Sequence, residues 1–107
     1  MDECVSCVAP LWRWTGRNGG TWHFLTIAGE PAEALAATAL MRRLEGLWRG
    51  FGSLRVEATI GASTWRTSVF PQKSADGAPE WILPVKAAIR RAEGLAEGDA
   101  AELALRF

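Results

Sequence analysis

Leu54-Arg55-Val56-Glu57-Ala58-Thr59-Ile60, then Gly61-Ala62, then Ser63-Thr64-Trp65-Arg66-Thr67-Ser68-Val69: the reading of this stretch decides the fold. Leu54, Val56, Ala58 and Ile60 alternate with Arg55, Glu57 and Thr59, which is strand period with one apolar and one wet face. Gly61-Ala62 has glycine first, the signature of a two-residue type II′ hairpin turn. With that turn Ile60 pairs with Ser63, and the register follows by counting. Ala58 opposes Trp65, Val56 opposes Thr67 and Leu54 opposes Val69. On the wet face Glu57 opposes Arg66 and Arg55 opposes Ser68. Opposite charges directly across a ladder are a favourable pair, so the register is self-consistent.

Reading outward from the hairpin, Val8–Thr15 alternates with Trp12 and Trp14 on one face and Leu11 and Arg13 on the other. Gly16–Gly20 reads as a hairpin loop and Trp22–Ile27 as the return strand. Pro31–Glu45 reads as a helix: Pro31 suits its first turn, Leu35, Leu40 and Leu44 form its stripe, and Gly46 ends it. Downstream, Pro71–Pro79 reads as a polar loop and Trp81–Leu83 as a short strand. Pro84–Glu93 reads as a helix with Val85, Ala88, Ile89 and Ala92 on one stripe, ended by Gly94. Glu97–Asp99 is a turn, with Asp99 placed to bond nearby backbone N–H groups. The last strand, Glu102–Phe107, puts Leu103, Leu105 and Phe107 on one face.

The order is strand-strand-helix-strand, twice. Trp12-Arg13 recurs as Trp65-Arg66, and Trp22 opens its strand as Trp81 does. Arg43-Leu44-Glu45-Gly46-Leu47 recurs as Arg91-Ala92-Glu93-Gly94-Leu95, although a third Trp-Arg, Trp48-Arg49, fits nothing. The expected fold is mainly β with two helices. In detail it is a six-stranded double-split β-barrel of two pseudo-symmetric ββαβ halves, with helices capping the ends, because six short strands cannot leave many edges unpaired. Residues 8–107 are expected to form this single domain, and residues 1–7 an N-terminal tail.

The chain has 107 residues, and its twelve Lys+Arg balance twelve Asp+Glu. A zero net charge excludes a charge-driven nucleic-acid binder. No apolar run reaches the ~18–20 residues of a membrane span, and the acidic Met1-Asp2-Glu3 start is unlike a secretory leader, so a cytoplasmic protein is expected. Cys4 and Cys7 form a lone C-x-x-C. A structural zinc site needs four ligands, and His23 is the only histidine. Neither metal nor redox use is expected of the pair, and no cofactor.

The segments Trp65-Arg66-Thr67-Ser68-Val69-Phe70-Pro71, Leu83-Pro84-Val85-Lys86-Ala87-Ala88-Ile89-Arg90 and Gly94-Leu95-x-x-Gly98-Asp99, with the earlier Trp22-His23-Phe24, resemble the bacterial family called domain of unknown function 1905. The resemblance runs from about Leu11 to the end. It implies a double-split β-barrel, shared with swapped-hairpin transcription regulators and antitoxins, and it implies no established activity. Leu47–Gly52 and the cysteine pair depart from the family pattern.

Three arrangements are candidates for function. Arg66 and Ser68 share the wet face of one strand, and Lys86 and Arg90 share the outer face of the next helix. If that helix crosses the barrel mouth, three cations and a hydroxyl converge with a helix N-terminus into an anion pocket. The alternative is that Arg66 pairs with Glu57 and that Lys86 and Arg90 are a solvated face. The indoles of Trp12, Trp14, Trp22, Trp65 and Trp81 are expected to point mostly inward, as core or as a ligand cavity, with Trp22 and Trp65 assigned to the pocket. A hydrolase triad of His23, Ser68 and Asp99 has no nucleophile elbow behind it. The expected function is a non-enzymatic module that recognises a small anionic ligand or a protein partner, as a monomer or weak homodimer. The alternative is a DNA-binding transcription regulator by fold analogy, and a small hydrolytic enzyme ranks behind both.

Overall fold

In the computed structural model, residues 3–46 and 52–107 are described. They form β1 (Cys4–Pro10), β2 (Trp12–Thr15), β3 (Thr21–Ile27), α1 (Glu30–Leu44), β4 (Leu54–Ile60), β5 (Ser63–Lys73), β6 (Pro79–Pro84), α2 (Ala87–Glu93) and β7 (Ala100–Arg106). The architecture is mainly β with two helices. The strands make one curled antiparallel sheet in the order β1-β7-β4-β5-β6-β3-β2. Its two terminal strands are consecutive in the chain, with Leu11 alone between them. Leu11 donates its N–H to Asp99 O at 2.9 Å and accepts from Gly98 N at 2.7 Å, so the turn before β7 is tied to the bend.

The β4–β5 hairpin has the counted register throughout, from Ile60↔Ser63 to Leu54↔Val69. Gly61 has φ +57 and, among the described residues, only glycines have positive φ, so φ is negative at Ala62. That is the II′ pattern, since I′ needs positive φ at both positions. The period-2 rows then fill the concave side: Leu54, Val56, Ala58 and Ile60 from β4, Leu25 and Ile27 from β3, Trp81 and Leu83 from β6, and Ala101, Leu103, Leu105 and Phe107 at the C-terminal end. Fully burying each of the large apolar side chains is worth about 1.5–3 kcal/mol. α1 packs on β6 and β1, and α2 on β5.

Several expectations change. The N-terminal segment is not a tail: Cys4–Pro10 pairs residue for residue with β7, so the boundary at Val8 falls inside β1 and the sheet has seven strands. The polar loop is shorter than Pro71–Pro79, because β5 continues to Lys73 and pairs Pro71↔Trp81, Gln72↔Glu80 and Lys73↔Pro79 with β6. Beyond Val69, β5 pairs with β6 alone among the described residues, and a strand with one free side tolerates a proline. Pro84 closes a strand rather than opening a helix. It pairs with Phe24, and Val85 N donates to His23 O at 2.8 Å, so α2 starts only at Ala87. Of its expected stripe, Val85 and Ile89 are buried while Ala88 and Ala92 are exposed.

On α1 the buried stripe is Ala32, Leu35 and Ala39, whereas Leu40 and Leu44 face solvent. Helix geometry turns Leu40 about 100° from Ala39. Ala32 and Ala39 let the helix lie close to the sheet, where Trp81 Nε1 donates to Ala32 O at 3.2 Å.

The indoles do not all turn inward. Trp65 and Trp81 are buried, Trp12 is half-buried, and Trp14 and Trp22 are 51% and 55% exposed. The Val8–Thr15 alternation is as read, with its faces exchanged: Ala9 and Leu11 take the concave side. Period 2 defines two faces without saying which is wet. Cys4–Pro10 pairs with β7 as Ser63–Val69 pairs with β4, and Trp12 pairs with β3 where Phe70 pairs with β6. Leu47, Trp48 and Arg49, which entered the repeat comparison, and the rest of Leu47–Phe51 lie outside the described residues.

Candidate functional site

Five of the six expected site residues line one cleft of about 360 Å³. Trp22 comes from β3, Trp65 and Arg66 from β5, Lys86 from the segment after β6, and Arg90 from α2. Thr21, His23, Thr67, Pro84, Val85 and Ala87 complete it. Ser68 is not among them. It lies two residues farther from the turn than Arg66, about 6.8 Å along an antiparallel strand, and accepts from Arg55 Nη1 at 3.4 Å.

The turn fixes the cleft wall. Ser63 Oγ donates to Glu93 Oε2 at 2.6 Å, which anchors the last residue of α2 to the first residue of β5. Gly94 ends the helix at φ +63. α2 is thus held beside the strand that carries Arg66, with Ile89 buried and Arg90 directed to β3. Arg90 Nη1 lies 2.7 Å from His23 Nδ1. A guanidinium only donates, so Nδ1 accepts and the ring proton of the neutral imidazole sits on Nε2. Partial desolvation holds His23 below the ordinary value of 6.5; the Arg90 and Arg13 charges push the same way, and Glu97 opposes them. His23 shares its strand face with Leu25 and Ile27, and it lines the cleft although it was not among the expected pocket residues.

Charge in the cleft is one-sided. Arg66, Lys86 and Arg90 line it, His23 is neutral at pH 7, and among the described residues no carboxylate lines it. The expected Glu57–Arg66 ion pair does not form, although the two are register partners. Glu57 turns to its other neighbour, with Arg106 Nε at 3.7 Å. Arg13 sits across from His23 and is paired with Glu97 at 3.6 Å. Cations without local carboxylates suit an anion, because charge-assisted hydrogen bonds to oxyanions are about twice as strong as neutral ones. α2 is only seven residues long, so that attraction rests on the side chains.

The remaining arrangements are not brought together. His23 is engaged by Arg90, Ser68 by Arg55, and Asp99 Oδ2 accepts from Ala96 N at 2.8 Å, the turn role read for Asp99. Cys4 and Cys7 are three apart on an extended strand, about 10 Å between Cα atoms, beyond the ~7 Å limit of a disulfide. Among the described residues no group of three or more His, Cys, Asp or Glu is placed to hold a metal, and no helix is long and apolar enough to cross a membrane.

From Trp22 at the cleft edge, an aromatic row runs over the convex face of β2–β3. Trp12 pairs with Phe24 and Trp14 with Trp22 across the ladder. The Trp12 and Phe24 rings are 4.9 Å apart and tilted by 35°, and Trp22 and Phe24 are 6.4 Å apart and nearly parallel at 15°. Trp12 Nε1 donates to Thr26 Oγ1 at 2.9 Å.

No curated protein matches the chain. Among protein-family profiles, residues 8–105 match Domain of unknown function (DUF1905). That span covers nearly the whole sequence, from the second half of β1 through β7, and the chain belongs to the DUF1905 family.

Proposed function

We propose that this protein is a non-enzymatic binding module whose cleft between β3, β5 and α2 receives a small anionic ligand carrying a phosphate or carboxylate. The observation that carries the reading is the convergence of Arg66, Lys86 and Arg90 on one cleft with no carboxylate among its described lining residues. The separate hydrogen bonds of His23, Ser68 and Asp99 support binding over hydrolysis. We also read the curled sheet as a six-stranded double-split barrel in which β1 and β2 act as one bent strand. Support comes from the unbroken alternation through Leu11 and from the matching split of β5 between β4 and β6.

The test is thermal unfolding of the wild type and Arg66→Ala with phosphorylated and carboxylated metabolites. A ligand at a hundredfold excess over Kd stabilises the native state by about 2.7 kcal/mol. The wild type should show a concentration-dependent rise in Tm that the variant loses. Equal behaviour of the two proteins with every compound would overturn the proposal.

A further inference from the structure

We infer that the ligand joins a phosphomonoester to a flat heterocyclic ring, as a mononucleotide does; this rests on the anion-binding reading above and specifies its substrate class. Three uncompensated cations at one cleft call for more than a single negative charge. A phosphomonoester carries about −1.5 to −2 at pH 7 and three acceptor oxygens, and those oxygens can meet donors from β5, from the segment after β6 and from α2 at once. A planar carboxylate best serves one guanidinium fork.

The phosphate leaves most of the cleft unfilled. Its five heavy atoms occupy a few times the ~30 Å³ share of a water, against about 360 Å³ available. The remainder is walled by Trp22, Trp65, Pro84 and Val85, which offer flat or apolar surface. Trp22 is the deciding residue. It lines the cleft, lies nearly parallel to Phe24, and leaves 55% of its surface exposed. An indole held in place by a neighbouring ring at the edge of a cationic cleft is a stacking surface for a base, a contact that typically strengthens binding about tenfold or more.

Calorimetric titration with AMP, adenosine and inorganic phosphate tests this, using the wild type, Trp22→Ala and Arg66→Ala. Circular dichroism should confirm that both variants fold, since each replaced side chain is exposed. AMP should bind the wild type at least tenfold more tightly than phosphate. Trp22→Ala should erase that advantage and leave phosphate affinity unchanged, while Arg66→Ala weakens both. If AMP and phosphate bind equally, or Trp22→Ala keeps the advantage, no ring is stacked on Trp22 and the inference is overturned, while the anion reading survives. If neither AMP nor phosphate binds the wild type, the anion reading falls and the inference falls with it.

Discussion

Replacing Gly61 by alanine should cost more than any other single-methyl addition at the β4–β5 turn, for two separable reasons. Gly61 sits at φ +57, and an L side chain in that left-handed region costs about 1–2 kcal/mol. A Cβ at this position would also meet the carboxylate of Glu93. Glu93 is the far end of a flexible chain and can swing away, but it then gives up the Ser63 Oγ bond at 2.6 Å. Hydrogen bonds to charged groups contribute about 1.5–3 kcal/mol, toward the lower value for this part-buried pair. Gly61→Ala should therefore destabilise the protein by about 2–4 kcal/mol in all. In a Glu93→Ala background no carboxylate remains to displace, so the same substitution should cost only the backbone part, about 1–2 kcal/mol. Urea unfolding of the four proteins of this double-mutant cycle gives the coupling directly. A coupling within about 0.3 kcal/mol of zero, the spread expected of independent sites, would refute the idea that Glu93 braces the turn. The brace matters for function because it positions the helix that carries Arg90.

Three further outcomes follow from the same structure. His23 is held below 6.5 in the folded chain, so the unfolded chain binds a proton more readily. His23 should therefore contribute stability that is complete above about pH 6.5 and is lost as pH falls through its lower folded value; His23→Gln should flatten this part of the urea-midpoint profile, and an unchanged profile would contradict the assignment. Burial pushes the Cys7 thiol up while Cys4 is exposed, so iodoacetamide should label Cys4 well before Cys7 at pH 8, and equal rates followed by mass spectrometry would contradict the pairing of β1 with β7. Trp81→Ala should cost about 3–5 kcal/mol as a buried aromatic truncation, and Trp14→Ala less than about 0.5 kcal/mol as a surface change; similar urea midpoints for the two variants would reverse the face assignment on β2 or β6.

The parts of the fold that the residues made legible are those with strong local rules. The β4–β5 register followed from one glycine-first turn and a clean alternation. Gly46 and Gly94 marked the ends of both helices. What the sequence did not disclose depended on partners distant along the chain. Cys4–Pro10 reads as a terminus until β7 lies beside it, and Pro71 reads as a loop until β6 supplies a neighbour on one side. The exchange of faces at Trp12 and Trp14 has the same origin. Their strand has two apolar sides, and only the position of Leu11 over the core decides between them. The candidate site was legible as far as its cations and two of its indoles. Ser68 does not line the cleft and accepts from Arg55 instead. His23, read in the sequence only as part of an unsupported triad, lines the cleft with α2 delivering Arg90 to its ring.

The account turns on whether the cleft between β3, β5 and α2 accepts an anion. Nitrogen-15 NMR titration with inorganic phosphate reads this at each indole N–H separately. The resonances of Trp22 and Trp65, which line the cleft, should move with a common saturation curve. Those of Trp12 and Trp81, held by Thr26 and by the Ala32 carbonyl, should stay in place. Shifts confined to Trp12 and Trp81, or no saturable shift at any indole, would contradict it.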